Sequence, residues 1–214
     1  MPDLEDEGPS DRWMELAAKL AQDIDDGRVP DEPGATLAAV LLLLYDKDGE
    51  PHIVLTRRTN HVAAHKGEIS LPGGAYEEDK DQSLLHTALR EAAEEVGIEA
   101  AELRILGHLP LVYTMSSNFA GMPYVAATAR QPVFRPDPIE VAEVLEVPLN
   151  VLRDPAAVQE EDWDFDGMPR RIWFYAHGEH KIWGATARIL SEFLAVLETA
   201  VPRAPGENEP ETPS

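Results

Sequence analysis

LPGGAYEEDKDQSLLHTALREAAEEVGI, residues 71–98, reads as a glycine turn, an acidic loop and a helix. Leu84, Ala88, Ala92 and Val96 recur every fourth residue, and Leu85 and Leu89 widen that apolar stripe. Either Asp81 or Ser83 can cap the helix at its start, and Gly97 can end it in the left-handed conformation. Glu91 and Glu95 stand one turn apart and share a face. At about 100° per residue both fall at the edge of the apolar sector, whereas Glu94 points further out, near Arg90. Carboxylates half-sunk beside a core repel one another and are costly to desolvate unless a cation joins them. Mg²⁺ meets that need, because it binds through one or two carboxylates together with substrate phosphates. The plain alternative is a solvated acidic face with an Arg90–Glu94 pair across one turn.

Pro72-Gly73-Gly74, the acidic loop, and then Arg90-Glu91-x-x-Glu94-Glu95-x-Gly97-Ile98 together resemble the Nudix box of the Nudix hydrolases. That family cleaves nucleoside diphosphates linked to another group, using divalent metal held by the box. The first aliphatic position of the pattern is the small Ala92 here, and the loop is slightly longer than is common. Counting back from Arg90, the usual loop glutamate falls on Gln82, with Glu77, Glu78, Asp79 or Asp81 as alternatives. The resemblance implies an α/β (α+β) Nudix fold, a central mixed sheet sandwiched between helices. It implies Mg²⁺ or Mn²⁺ as cofactor, with Glu91 and Glu95 as metal ligands and Glu94 as a third. The Gly74 carbonyl faces metal in the same scheme, since paired glycines let the backbone approach closely. Arg90 is then the residue that orients these carboxylates.

Composition narrows the partners. The chain has 214 residues, 43% hydrophobic, with 40 acidic and 18 basic residues and a net charge of −22. That balance argues against nucleic acid or an anionic membrane, both of which reward basic surface. A small nucleotide substrate would need metal or a local basic patch. There is no cysteine, hence neither disulfide nor thiolate chemistry. The N-terminal MPDLEDEGPSD lacks a signal-peptide pattern, and the apolar run from Ala35 to Tyr45 is too short to span a bilayer. A cytoplasmic enzyme is expected, and a homodimer is left open.

Along the chain, residues 1–34 form an N-terminal flank whose Asp11–Ile24 stretch is an amphipathic helix. Residues 35–200 form the Nudix domain, and 201–214 a disordered, acidic, proline-rich tail. Strands are expected over Thr36–Tyr45 and His52–Thr59 around a turn at 46–49, then over Leu103–Tyr113, Pro123–Thr128 and Arg171–Ala176. The segment 136–148 alternates a proline loop with a short acidic helix or turn, from which Glu140 and Glu143 can reach the metal site. A second amphipathic helix covers Thr186–Thr199. Arg57, Arg58, His61, His65 and Lys66 crowd basic groups just before the glycine turn. Substrate phosphate is one reading of them and salt bridges to local acids the other. Ser116 lies in a polar loop, 114–118, expected to line a pocket.

Val54-Leu55-Thr56-Arg57-Arg58 and Gly67 to Gly74 also resemble the signature that precedes the box in the coenzyme A diphosphatase branch. Glu146–Leu149 and His180–Ala187 resemble further marks of that branch. The chain differs at Thr59, Ala63 and Leu71, where serine or alanine, arginine and phenylalanine are usual. The resemblance implies cleavage of coenzyme A to 3′,5′-ADP and 4′-phosphopantetheine. The absent arginine at Ala63 keeps ADP-ribose or a dinucleotide as an alternative. A non-catalytic binding module is opposed by the intact Glu91, Glu94 and Glu95.

Overall fold

Leu41, Leu42, Leu43, Leu44 and Tyr45 are all essentially buried, an arrangement open to a strand only where both faces of its sheet are covered. A computed structural model describes residues 11–21, 30, 32, 34–59, 67–114, 118–165 and 167–200. The elements run α1 (Asp11–Ala17), β1 (Thr36–Lys47), β2 (Glu50–Arg58), β3 (Ile69–Ser70), β4 (Gly73–Ala75) and α2 (Leu84–Val96). Then follow β5 (Arg104–His108), β6 (Val112–Tyr113), β7 (Phe119–Ala127), β8 (Val141–Pro148) and α3 (Leu149–Arg153). The described chain closes with β9 (Val158–Phe165), β10 (Met168–His177), β11 (His180–Trp183) and α4 (Gly184–Ala200). The main sheet has the order β3-β2-β1-β7-β5, with β8 on β2, β4 on β1 and β6 on β7. It is mixed, because β1 and β7 run parallel from Thr36↔Phe119 to Leu44↔Ala127 while their other partners are antiparallel. A separate antiparallel sheet orders β11-β10-β9.

Alternation along β1 sorts its side chains. Leu42 and Leu44 join a core with Trp13 and Leu16 of α1 and Leu190, Phe193 and Leu197 of α4. Ala39, Leu41, Leu43 and Tyr45 face the other way, against Leu84, Ala88, Ala92 and Val96 of α2. The expected mixed sheet between helices is therefore what the chain builds. α2 starts at Ser83, whose side chain accepts the His86 N–H, and ends at Gly97 in the left-handed region with φ 73°. No helix among the described residues is long and apolar enough to cross a membrane.

Several expectations need correction. The segment 141–148 is a strand and not a helix or turn, because Ile53↔Val147 and Leu55↔Leu145 zip it onto β2 and supply its backbone hydrogen bonds. Leu103–Tyr113 is split, since Pro110 has no N–H to continue a ladder and Leu109 N–H turns to the Pro123 carbonyl. α1 stops at Ala17, after which the Ala21 carbonyl accepts the His108 N–H at 3.2 Å. Residues 22–24 of that expected helix lie outside the described residues. β9 was unassigned from sequence; it pairs with β10 from Val158↔Tyr175 to Phe165↔Met168.

β4 is wedged between β1 and α2, and Gly73 makes this possible. Its φ is 155°, and a Cβ there would lie 2.6 Å from Val40 Cα and closer still to the Ala39 carbonyl oxygen. Gly73→Ala is expected to cost about 3 kcal/mol or more, as overpacking against backbone adds to backbone strain. Urea denaturation followed by tryptophan fluorescence measures it, and an unchanged midpoint would refute the wedge.

Candidate active site

The acidic loop is folded around one carboxylate. Asp81 is 4% exposed and accepts hydrogen bonds from Arg90 Nε at 2.8 Å, Arg90 Nη2 at 2.9 Å, Thr87 Oγ1 at 3.0 Å and the Glu77 N–H at 3.0 Å. Burial alone would raise its pKa, but Arg90, the Glu77 N–H and Thr87 together outweigh it and hold the carboxyl at about 2. Asp81 is thus not the helix cap, which is Ser83, but the loop carboxylate that grips Arg90. Glu77 is half-exposed, paired with Lys80 at 2.9 Å and 3.9 Å from Arg90 Nη2.

Arg90 distributes this anchorage. Its Nη1 lies 2.8 Å from Glu91 Oε1 and 3.0 Å from Glu94 Oε2. The hydrogen bond to Asp81, chiefly, holds its pKa even above the usual arginine range. Glu94 is 58% exposed and bound to the guanidinium. Glu91 points at the glycine turn, where a Cβ on Gly74 would fall inside its carboxyl group. Only glycine leaves that room.

Glu95 goes deeper than the edge position read from the helix wheel. It is 2% exposed, accepting the Gly73 N–H at 3.2 Å and Arg58 Nη1 at 3.3 Å. Burial pushes its carboxyl up to about 7, against the pull of Gly73 N–H and Arg58 and with the push of Glu91 and Glu140. Burial also raises Glu91, with Glu94 and Glu140 adding to it and Arg90 opposing. Glu140 therefore belongs to the same electrostatic neighbourhood. Its approach is set by the loop before β8, in which Asp137 N–H donates to the Glu95 carbonyl and Thr59 N–H to the Glu140 carbonyl. Glu143 turns elsewhere, to Arg57 Nε at 3.0 Å and His180 Nε2 at 3.7 Å.

Of the five basic residues, the two that are described, Arg57 and Arg58, diverge. Val54 faces α2 while Ile53 and Leu55 face the opposite core, so alternation along β2 sends Arg58 to Glu95 and Arg57 to Glu143. His61, His65, Lys66 and Ser116 lie outside the described residues. Period-two reading of β2 would have separated the arginines. The Asp81 anchor had no comparable signal, since its bond spans a loop and two helix turns.

Glu91 and Glu95 suit a hard divalent cation. Both carboxyls are desolvated, both press on glycine backbone, and Glu140 adds a further negative field. Among the described residues no three acidic or histidine groups already converge on a common point. An ion held by this pair would complete its shell with backbone oxygen, water or substrate phosphate.

A NUDIX domain family model matches residues 35–166. A protein from Photorhabdus laumondii described as "Uncharacterized Nudix hydrolase NudL" is 36% identical over 162 residues, 75% of this chain and 84% of that protein. One of the same description from Yersinia pestis is 37% identical over 154 residues, 72% of this chain and 75% of that one. Among solved structures, a MutT/nudix family protein from Enterococcus faecalis superposes with a TM-score of 0.49 at 14% identity, covering 80% of this chain and 65% of that one.

Gly74→Ala and Glu95→Gln make separable predictions. The new methyl of Gly74→Ala meets only the end of the Glu91 side chain, so stability should stay within about 1 kcal/mol of wild type while metal-dependent hydrolysis falls. Wild-type activity in that variant would show that the position of Glu91 does not matter. For Glu95, the folded-state pKa of about 7 exceeds the ordinary 4.5, so between those values the native state holds more protons than the unfolded chain. Metal-free stability is therefore lost through Glu95 as pH rises across that window. Thermal melts in EDTA should show Glu95→Gln gaining on wild type from pH 5 to pH 8; a constant difference would refute the shift.

Proposed function

This chain belongs to the Nudix family, hydrolases of pyrophosphate-containing substrates that work with divalent metal ions, and on that footing we propose that it cleaves coenzyme A or an acyl-CoA to 3′,5′-ADP and 4′-phosphopantetheine. The observation that supports this substrate is an adjacency. The segments resembling the coenzyme A branch are far apart in sequence, yet β2 pairs with β8 through Val54↔Glu146 and Ile53↔Val147. Glu143 on β8 then meets His180 at the start of β11, and β11 packs on β3, immediately before the glycine turn. Residues 54–58, 146–149 and 180–183 thus lie on neighbouring strands beside the segment that enters the glycine turn.

Glu91 and Glu95 would hold Mg²⁺ or Mn²⁺, with Glu94 and the Gly74 carbonyl as further candidates. Such an ion, when bound, neutralises charge on phosphoryl oxygens and eases deprotonation of the attacking water. The chain's own part is positioning. Asp81 locks the Arg90 fork, Arg90 fixes Glu91, and the Gly73 N–H fixes Glu95. Glu140, whose charge both box carboxylates feel, is our candidate for accepting the proton from water. Ala63 favours a second reading, in which ADP-ribose or a dinucleotide is the substrate.

Steady-state assays with Mg²⁺ on coenzyme A, its 3′-dephospho form, ADP-ribose and a diadenosine polyphosphate decide between them. Coenzyme A is expected to give the highest kcat/KM. Lys66→Ala should shrink its lead over the dephospho form by about one decade, the worth of a charge-assisted phosphate contact. A higher kcat/KM for ADP-ribose or the dinucleotide would remove the coenzyme A reading.

A further inference from the structure

Two arginines reach the α2 carboxylates, and their geometries differ. Arg90 grips Asp81 with a two-point fork at 2.8 and 2.9 Å and spends a further N–H on Glu91 at 2.8 Å. Arg58 touches Glu95 at a single point, Nη1 to Oε1, at 3.3 Å. Its Nε is buried with no hydrogen-bond partner among the described residues. An arginine–carboxylate pair built for stability is bidentate with N···O near 2.7–2.9 Å. A buried pair offsets its desolvation only when geometry is good and the remaining N–H groups are satisfied. Arg90–Asp81 meets both conditions and Arg58–Glu95 meets neither. Yet Arg58 is the cation on Glu95, whose other charged neighbours include Glu91 and Glu140.

We infer that Arg58 is a displaceable internal counter-ion: it occupies Glu95 while no divalent cation is bound and must leave when one binds. The inference rests on the metal-dependent reading above. A dication on Glu95 repels the guanidinium, and the loose single contact with an unspent Nε makes that departure cheap. The freed fork then matches a phosphoryl oxygen pair of a diphosphate. Arg58 thereby limits metal affinity in the substrate-free protein, and an anion that takes Arg58 lifts the limit. The coupling is reciprocal, so metal also raises affinity for the anion.

The test titrates Mg²⁺ calorimetrically into the full-length wild type and Arg58→Met, alongside thermal melts of both in EDTA. The expected pair of results is opposite in sign. Arg58→Met melts lower than wild type without metal, because Glu95 loses its counter-ion, and binds Mg²⁺ roughly tenfold more tightly, within the usual range of coupling between sites. A residue that merely holds the fold would lower the melting point and weaken or leave unchanged the Mg²⁺ affinity, and either of those results overturns the inference. Wild type that binds neither Mg²⁺ nor Mn²⁺ overturns the metal reading itself, and the inference with it. Should Arg58→Met fail to fold, phenylglyoxal modification of the wild type, read by peptide mass spectrometry, answers the same question. Arg58 is expected to react faster in Mg²⁺ than in EDTA, and an equal or slower rate overturns the inference.

Discussion

Everything at this site depends on how closely a helix can approach a strand whose first two residues are glycines. Gly73 and Gly74 let β4 lie between β1 and α2, where any Cβ would strike the β1 backbone or the Glu91 carboxyl. Ala88 and Ala92 keep the opposing helix face equally thin. Glu91 and Glu95 consequently meet peptide groups instead of solvent. Their raised pKa values follow from that placement, since burial is the largest contributor to both. The same packing that stabilises the sheet and helix leaves a pair of carboxylates in electrostatic debt.

The acidic loop solves a different problem. It must cross from the glycine turn to the helix start without collapsing onto the carboxylates, and it does so by wrapping Asp81. Thr87 and the Glu77 N–H complete the shell of Asp81, and Arg90 carries the resulting rigidity to Glu91 and Glu94. Asp81 stays ionised far into acid, so the scaffold persists where Glu95 is already protonated.

What could be read from sequence follows the range of the interaction involved. α2 and its caps are local, set by spacings of three and four residues, so its body and the Gly97 end were legible, while its start was narrowed to Asp81 or Ser83. β1 was legible because a run of leucines that short and that apolar fits a covered strand. β8 was not, since Val141, Val144 and Val147 suit a strand only once β2 lies beside them. Glu95 was placed at the edge of the apolar face by the helix wheel, but how deep an edge lies depends on what packs against it. The separation of Arg57 from Arg58 was available in the period of β2, whereas the Arg58–Glu95 pair joins residues 37 apart and arises only from the packing of β2 against α2.

The parallel pairing of β1 with β7 bears on how the enzyme comes into being. Parallel neighbours cannot be joined by a tight turn, and here the crossover is long enough to contain β2, β3, β4 and α2. Closing such a loop is entropically slow, so α2 and the β1–β2 hairpin can form well before the central pair does. Gly73 and Arg58, which contact Glu95, lie before α2 in the chain, whereas the loop carrying Asp137 and Glu140 lies after β7. The burial that raises Glu91 and Glu95 draws on residues from both sides of this crossover and is complete only in the closed sheet.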